Sequence, residues 1–392
     1  MRFTMCRAMV FSLCLFACKG KERPPSEATS QSPTTPTSTP PKAKPEGPSI
    51  TPTISNSVTF VVPKSAGWWG EFQFACYRAV MSLTGKSSPG EAFERISPTV
   101  PEAMRAGGID LGRDLAGMGM FECGGSPCIY IAAALEHPEK MKDMLDRLIP
   151  GVTATTVAPD HYTLGTASTV NASGTRTIHV RVVPLDWSAV KAPDDAWSKE
   201  AARATHVVFI GGVDGKDNDT DPLTLLADAA TAAANVKEAE SVLGGETRNR
   251  CMAGLVAARD FQPGFELTRA RFAMAAPPAA RSDAMMTMLD SKKTLDIEVE
   301  LALSPAPTDA KAKEWIGMGR MFMSGIGANV RGQFAGQDEA MDVYFDMLSL
   351  IGEKAFSHSV KGTSLRLSWR TDRIPKSDLQ TLEKRFEGMF GP

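Results

Sequence analysis

Cysteines, clustered aspartates and paired methionines are the reactive or ligating side chains of this sequence, and their spacing sets what each group is suited to. Cys123 and Cys128 bracket Gly-Gly-Ser-Pro between two short apolar runs, Met118–Glu122 and Ile129–Leu135. A redox pair uses two intervening residues at a helix N-terminus, so four residues in a hairpin point to a structural staple. Cys76 and Cys251 then form a second bridge by elimination, although four cysteines permit three pairings. Asp217-Asn-Asp219-Thr-Asp221 alternates carboxylates as a calcium loop does, and Asp228 falls at its twelfth position. Pro222, however, stands where such a loop needs glycine, and a helix cap at Asp221 explains most of the run. Met285-Met286-Thr-Met288, with Met318, Met321 and Met323, groups thioethers that suit Cu(I). The same residue type fills irregular cores, and Phe322 and Ile326 beside them favour that role.

Catalytic signatures are incomplete. Ser188-Ala-Val-Lys191 matches the Ser-x-x-Lys of penicillin-recognising enzymes, but Lys361-Gly362-Thr363 has the wrong order for the companion Lys-Thr-Gly, and Ser-Asp-Asn is missing. The five histidines (His137, His161, His179, His206 and His358) show no metal-ligand spacing in sequence. The expectation is a chain with no catalytic residue and no cofactor, a binding or scaffolding protein more than an enzyme. The rivals are an envelope hydrolase built around Ser188 and Lys191, and a metal-handling protein. The metal candidates are Asp217, Asp219 and Asp221 for calcium, and Met321 and Met323 for copper.

The N-terminus is an address. Arg2 and Arg7 precede an apolar stretch from Ala8 to Ala17 that is too short to span a bilayer and suits a signal-peptide core. It ends in Leu15-Phe16-Ala17-Cys18, which resembles the lipobox of bacterial lipoproteins. The resemblance covers these 18 residues alone. It implies cleavage before Cys18 and diacylation of that cysteine, giving a membrane anchor of the two-chain kind that holds stably. Lys19 stands where the family's inner-membrane retention signal has Asp, which implies the outer membrane of a Gram-negative cell.

Residues 18–56 read as lipid anchor and tether. Nine prolines and thirteen Ser and Thr fill positions 19–56, and only Ile50 and Ile54 are bulky and apolar. Such a stretch buries too little surface to offset its ordering entropy, and as polyproline II it reaches roughly 100 Å. A reach of that order suits a partner in the envelope, another protein or peptidoglycan. Beyond the tether the chain carries 36 basic and 42 acidic residues. That acidic balance argues against nucleic acid as a partner.

The elements that must position these residues read as α+β: antiparallel sheet with helices packed on one face. Thr294–Ser304 alternates Leu295, Ile297, Val299, Leu301 and Leu303 against Asp296, Glu298 and Glu300, a strand with one wet face. Lys361-Gly362 turns a hairpin between Phe356–Val360 and Ser364–Trp369. Pro138 opens a helix striped by Met141, Met144, Leu145 and Leu148; Asp221-Pro222 opens an Ala-rich helix over 223–235; Ser377 caps the last helix with Gln380 completing a capping box. Trp69, Phe72, Cys76, Val80 and Leu83 form a further helical stripe after a strand at Val58–Val62. The order strand, helix, hairpin, helix occurs twice. It hints at two similar α+β halves, 57–210 and 211–392, behind a signal peptide at 1–17; one domain in which the order recurs by chance fits equally.

Overall fold

A computed structural model describes residues 47–64, 67–76, 99–123, 126–148, 152–167, 175–211, 220–243, 249–276, 296–319, 346, 349–350, 352–381 and 384. Twelve of its strands form one antiparallel sheet. The strands are β3 (Trp68–Gln73), β4 (Leu115–Cys123), β5 (Ser126–Ala133), β6 (Ala154–Ala158), β7 (His161–Ala167), β8 (Thr175–Pro184), β9 (His206–Gly211), β10 (Asn249–Gln262), β11 (Phe265–Ala276), β12 (Asp296–Ser304), β13 (Phe356–Lys361) and β14 (Ser364–Arg370). Their spatial order is β13-β14-β12-β11-β10-β3-β4-β5-β9-β8-β7-β6. A separate ribbon pairs β1 (Thr53–Ile54) with β2 (Val58–Thr59). The helices are α1 (Thr99–Ala106), α2 (Met141–Leu148), α3 (Ala196–Ala201), α4 (Ala229–Glu240), α5 (309–319) and α6 (376–381).

The α+β class holds, and helices cover both faces of the seven N-terminal strands where one covered face was expected. On the back face Met104 of α1 and Met141, Met144 and Leu145 of α2 pack on Tyr162, Leu164, Val180, Val182 and Val208. On the front face residues 50–63 cross the sheet as a strap, flanked by α3 and α4. Val58, Phe60, Val61 and Val62 of this strap pack on Phe121, Tyr130, Val207, Phe209 and Leu255. Period-two alternation explains both layers: Val207 and Phe209 face front, Val208 and Ile210 face back. Gly117 of β4 admits the strap, since a Cβ there would strike the Phe60 ring, and Gly119 leaves room for the Tyr130 ring of β5.

In the five C-terminal strands the back face is apolar, with Leu301, Leu303 and Leu365 beneath Ala312 and Trp315 of α5; on the front face Ala253, Leu255 and Ala273 belong to the cluster under the strap. The β10–β3 pairing, Met252↔Phe72 through Val256↔Trp68, makes the sheet continuous across both sets of strands. The repeated order recurs as β5, α2, β6–β7 and as β12, α5, β13–β14. The pairing differs: β14 lies against β12, whereas β8 and β9 separate β7 from β5.

Several local readings need correction. Trp68–Gln73 is a strand, and helix begins only at Phe74; partners on both sides, β10 and β4, override the helical spacing of Trp69, Phe72 and Cys76. The helix read over 223–235 is two pieces. Asp221 caps a 3-10 turn at Pro222–Leu225, and Asp228 caps α4. The extended link between them donates Ala227 N–H to the Val62 carbonyl of the strap. Helix α6 starts at 376, where Asp378 and Leu379 N–H groups donate to the Pro375 carbonyl, so Ser377 lies inside the first turn. The tether reading ran to residue 56, but the chain is docked from Ile50, which exchanges backbone hydrogen bonds with Pro184 and Asp186. Asp296 and Glu298, expected on a wet face, are buried.

Candidate functional site: a buried polar clamp beneath the strap

Strap backbone at 58–61 is held by side chains rising from the sheet. Alternation in β3 sends Trp69, Glu71 and Gln73 to the front face. The Glu71 carboxylate accepts from Phe60 N–H (2.9 Å), Val61 N–H (3.4 Å), Tyr130 Oη (2.7 Å) and Gln73 Nε2 (2.6 Å). Gln73 Nε2 also donates to the Val58 carbonyl at 2.9 Å. Arg250 reaches the same face because β10 shifts register between Arg250 and Met252. With Cys251 as the extra residue of this bulge, Arg250 shares a side with Ala253. Its guanidinium donates to Glu240 Oε1 (2.8 Å), the Val58 carbonyl (2.9 Å) and Thr59 Oγ1 (2.6 Å), and lies 3.9 Å from Glu71. Ser55 Oγ donates to the other Glu240 oxygen.

Glu71 and Arg250 are 2% and 1% exposed, and Glu240 is buried too. Unpaired charges at such depth would be prohibitive; here each is ringed by opposite charge or donors. Burial pushes the Glu71 carboxyl up to about 7, against the pull of Arg250 and the hydrogen bonds from Tyr130, Phe60 and Val61. Burial, followed by the Glu71 charge, lifts the Tyr130 phenol well above its ordinary value. The arrangement clamps a backbone segment; its charged groups are sealed from any substrate in bulk water.

A shallow open cleft lies beside the end of the strap, among Pro63, Lys64, Trp68, Asn235, Ala257 and Arg269. Its polar groups are engaged: Lys64 Nζ donates to the Thr224 carbonyl, Asn235 Nδ2 to the Pro63 carbonyl, and Arg269 pairs with Glu238.

At the far end of the front face His161 and His179 meet across β7 and β8, with Nε2 and Nδ1 3.2 Å apart. Arg181 stands opposite His161 in register and pairs with Asp160 (2.9 Å) and Asp221 (3.4 Å).

The residues singled out by sequence fall as follows. Cys123–Cys128 and Cys76–Cys251 are disulfides with Cα separations of 5.5 and 5.3 Å, the first closing the β4–β5 hairpin. Asp221 caps its 3-10 turn and holds Arg181. Asp217, Asp219, Met285, Met286, Met288, Met321, Met323 and Cys18 lie outside the described residues. Met318 is exposed on α5. Ser188 donates both its N–H and its hydroxyl to Asp186 Oδ1, at 2.9 and 2.6 Å, in a surface turn. Among the described residues no three His, Cys, Asp or Glu side chains gather as a metal site.

Glu71, Arg250, Glu240 and Tyr130 were missed. The available signal was Trp69-Gly-Glu71-Phe-Gln73, which places a carboxylate between two inward positions once it is read as a strand.

The fold and clamp together define an α+β protein whose N-terminal approach is strapped across a single antiparallel sheet. No protein-family model matches the chain, and no curated protein does. Among solved structures, crystal forms III and I of TP0453 are similar at 8% identity, with TM-scores of 0.33 and 0.29; each alignment covers 82% of this chain and 98% of that one.

Proposed function

We propose that this chain is a lipid-anchored envelope protein whose α+β part serves as a non-enzymatic binding or scaffolding module. Cys18 carries the lipid, the Pro/Ser/Thr-rich stretch gives reach, and the strap joins that stretch to the centre of the sheet. The observation that supports this most is the clamp. A tether that ended in a loose terminus would need no buried Glu71 and Arg250, whereas one that ties a folded body to a membrane benefits from a fixed root. The outer membrane and a protein or peptidoglycan partner belong to the same reading.

Metabolic labelling with an alkyne fatty acid in a Gram-negative host tests it. The wild-type chain is expected to take up label and sediment with outer membranes, and Cys18→Ala to lose the label and leave the membrane fraction. Label retained in Cys18→Ala, or unlabelled wild type, would sink the proposal.

A further inference from the structure

Arg250 reaches the strap only because β10 carries an extra residue at Cys251, and that residue is the one the long-range disulfide seizes. We infer that docking of the strap is licensed by oxidation: the Cys76–Cys251 bond fixes the register that aims Arg250, and the reduced chain leaves the strap undocked.

Ala253 faces front. Counting back from it, regular alternation would put residue 251 on the front and residue 250 on the back. The register shift between Arg250 and Met252 reverses this for Arg250. Beyond the shift β10 holds only Asn249 and Arg250, paired with Ala276 and Ala275. Two ladder positions at the start of a strand open readily. The clamp adds little to hold them, since withdrawing Arg250, Glu71 and Glu240 from water costs about as much as their attraction returns. The cross-link does hold them. Cys251 is bonded to Cys76, with Cα atoms 5.3 Å apart, in a buried cluster with Phe72, Trp197 and Met274. Cys76 lies three residues past Gln73. One covalent bond thus joins the end of β3, source of Glu71 and Gln73, to the bulge that aims Arg250. Cys123–Cys128 joins β4 to β5 and leaves the β10 register alone.

The closing step is thiol–disulfide exchange with a disulfide carrier. One Cys thiolate attacks the carrier's S–S bond and displaces a carrier thiolate; the second Cys thiolate attacks the resulting mixed disulfide and displaces the other. The two cysteines lose two electrons and two protons, and the carrier takes them up. Each attack needs an open path to a sulfur, and Cys76 and Cys251 are 1% and 0% exposed in the closed fold. The bond therefore forms before the strap docks and, once buried, resists reduction.

Hydrogen exchange on the full oxidised chain reads the strap through the Phe60 and Val61 amides, which donate to the Glu71 carboxylate. Cys76→Ser with Cys251→Ser is expected to cut their protection about tenfold or more, the worth of one hydrogen bond to a charged group, while the amides of β5, β8 and β9 hold. Cys123→Ser with Cys128→Ser is expected to leave Phe60 and Val61 protected. Strap amides that stay protected in the first variant would overturn the inference, because the bond would then be idle at the strap. Protection lost equally from β5, β8 and β9 would overturn it too, because the bond would then be a general fastener. Arg250→Met keeps both disulfides and guards against a first variant that fails to fold. It should expose the same two amides; if they stay protected, Arg250 does not link the bulge to the strap and the inference falls.

Discussion

The seven N-terminal strands and the five C-terminal strands share one sheet but solve burial differently. The first set is apolar on both faces; under the strap lie Glu71 of β3 and, from the adjoining β10, Arg250, while Arg181 of β8 pairs with Asp160 and Asp221 at the far end. The second set is apolar across its back face, and on its front face where Ala253, Leu255 and Ala273 adjoin the strap. Its front face carries paired charges in rows: Arg271 with Glu300, Arg366 with Glu298, and Arg370 with Asp296. The Asp296 and Glu298 carboxylates are sunk, but Arg366 and Arg370 reach water at 42% and 32% exposure. Arg250 does not, at 1%. Similar chemistry thus appears twice, sealed in one region and rinsed by solvent in the other. The difference lies in what crosses the face: the strap roofs the first region, while the 3-10 turn after α4 covers part of the second, taking Arg271 on the Ser241 hydroxyl and Arg366 on the Val242 carbonyl.

The largest expected effect concerns the bond that fixes the border between the two sets. Cys76–Cys251 spans a sequence separation of 175, Cys123–Cys128 one of 5. On the chain-entropy account, removing the first costs about 5 kcal/mol and the second about 2 kcal/mol. Cys76→Ser with Cys251→Ser, compared with Cys123→Ser with Cys128→Ser by urea denaturation, is expected to show that order. Equal losses would mean that the border is held by strand pairing and not by the cross-link. Next comes Arg250→Met, which strands Glu71 and Glu240 in the interior and is expected to cost about 3–5 kcal/mol. Arg366→Met, on the rinsed face, should cost about 1 kcal/mol or less. Comparable losses at the two positions would erase the distinction between the faces.

What was legible in the sequence follows the same division. The C-terminal strands announce themselves, because a sheet with one apolar face writes strict alternation into Thr294–Ser304 and a Gly362 turn with φ of +59° into its outer hairpin. Even there the polar side reads as wet, since nothing local shows that Arg366 and Ser368 will close over Glu298. The N-terminal strands are harder to read. With both faces covered, Trp68–Gln73 lacks a clean apolar period, and its helical spacing wins until β10 and β4 are known. The strap was invisible for a related reason. Its anchors Ile50 and Ile54 sit among prolines, and its grip depends on Glu71 and Arg250, which are 179 residues apart in the chain. The disulfides were readable because the short spacing of one leaves only two cysteines for the other.

The last effect sets two sites of the N-terminal strands, the clamp and the β7–β8 histidines, against each other by sign. Glu71 ionises near 7 in the folded chain and at an ordinary 4.5 when exposed. Between those values the folded state binds the extra proton, so unfolding releases it and stability falls as pH rises. The contribution is complete below 4.5 and is lost as pH passes 7, with an upper size of about 3 kcal/mol at 1.36 kcal/mol per pK unit. His161 runs the other way: its folded affinity is lowered, so its contribution is present above 6.5 and is lost as acid is added. Below 6.5 the two slopes therefore oppose one another, and above about 7 neither group changes stability further. Glu71→Gln, followed by denaturation midpoints from pH 5 to 8.5, should abolish the decline toward 7 and unmask the loss on acidification due to His161. If Glu71→Gln leaves the pH profile of the midpoint unchanged, the carboxyl beneath the strap is not the group that titrates there, and the clamp stays charged throughout.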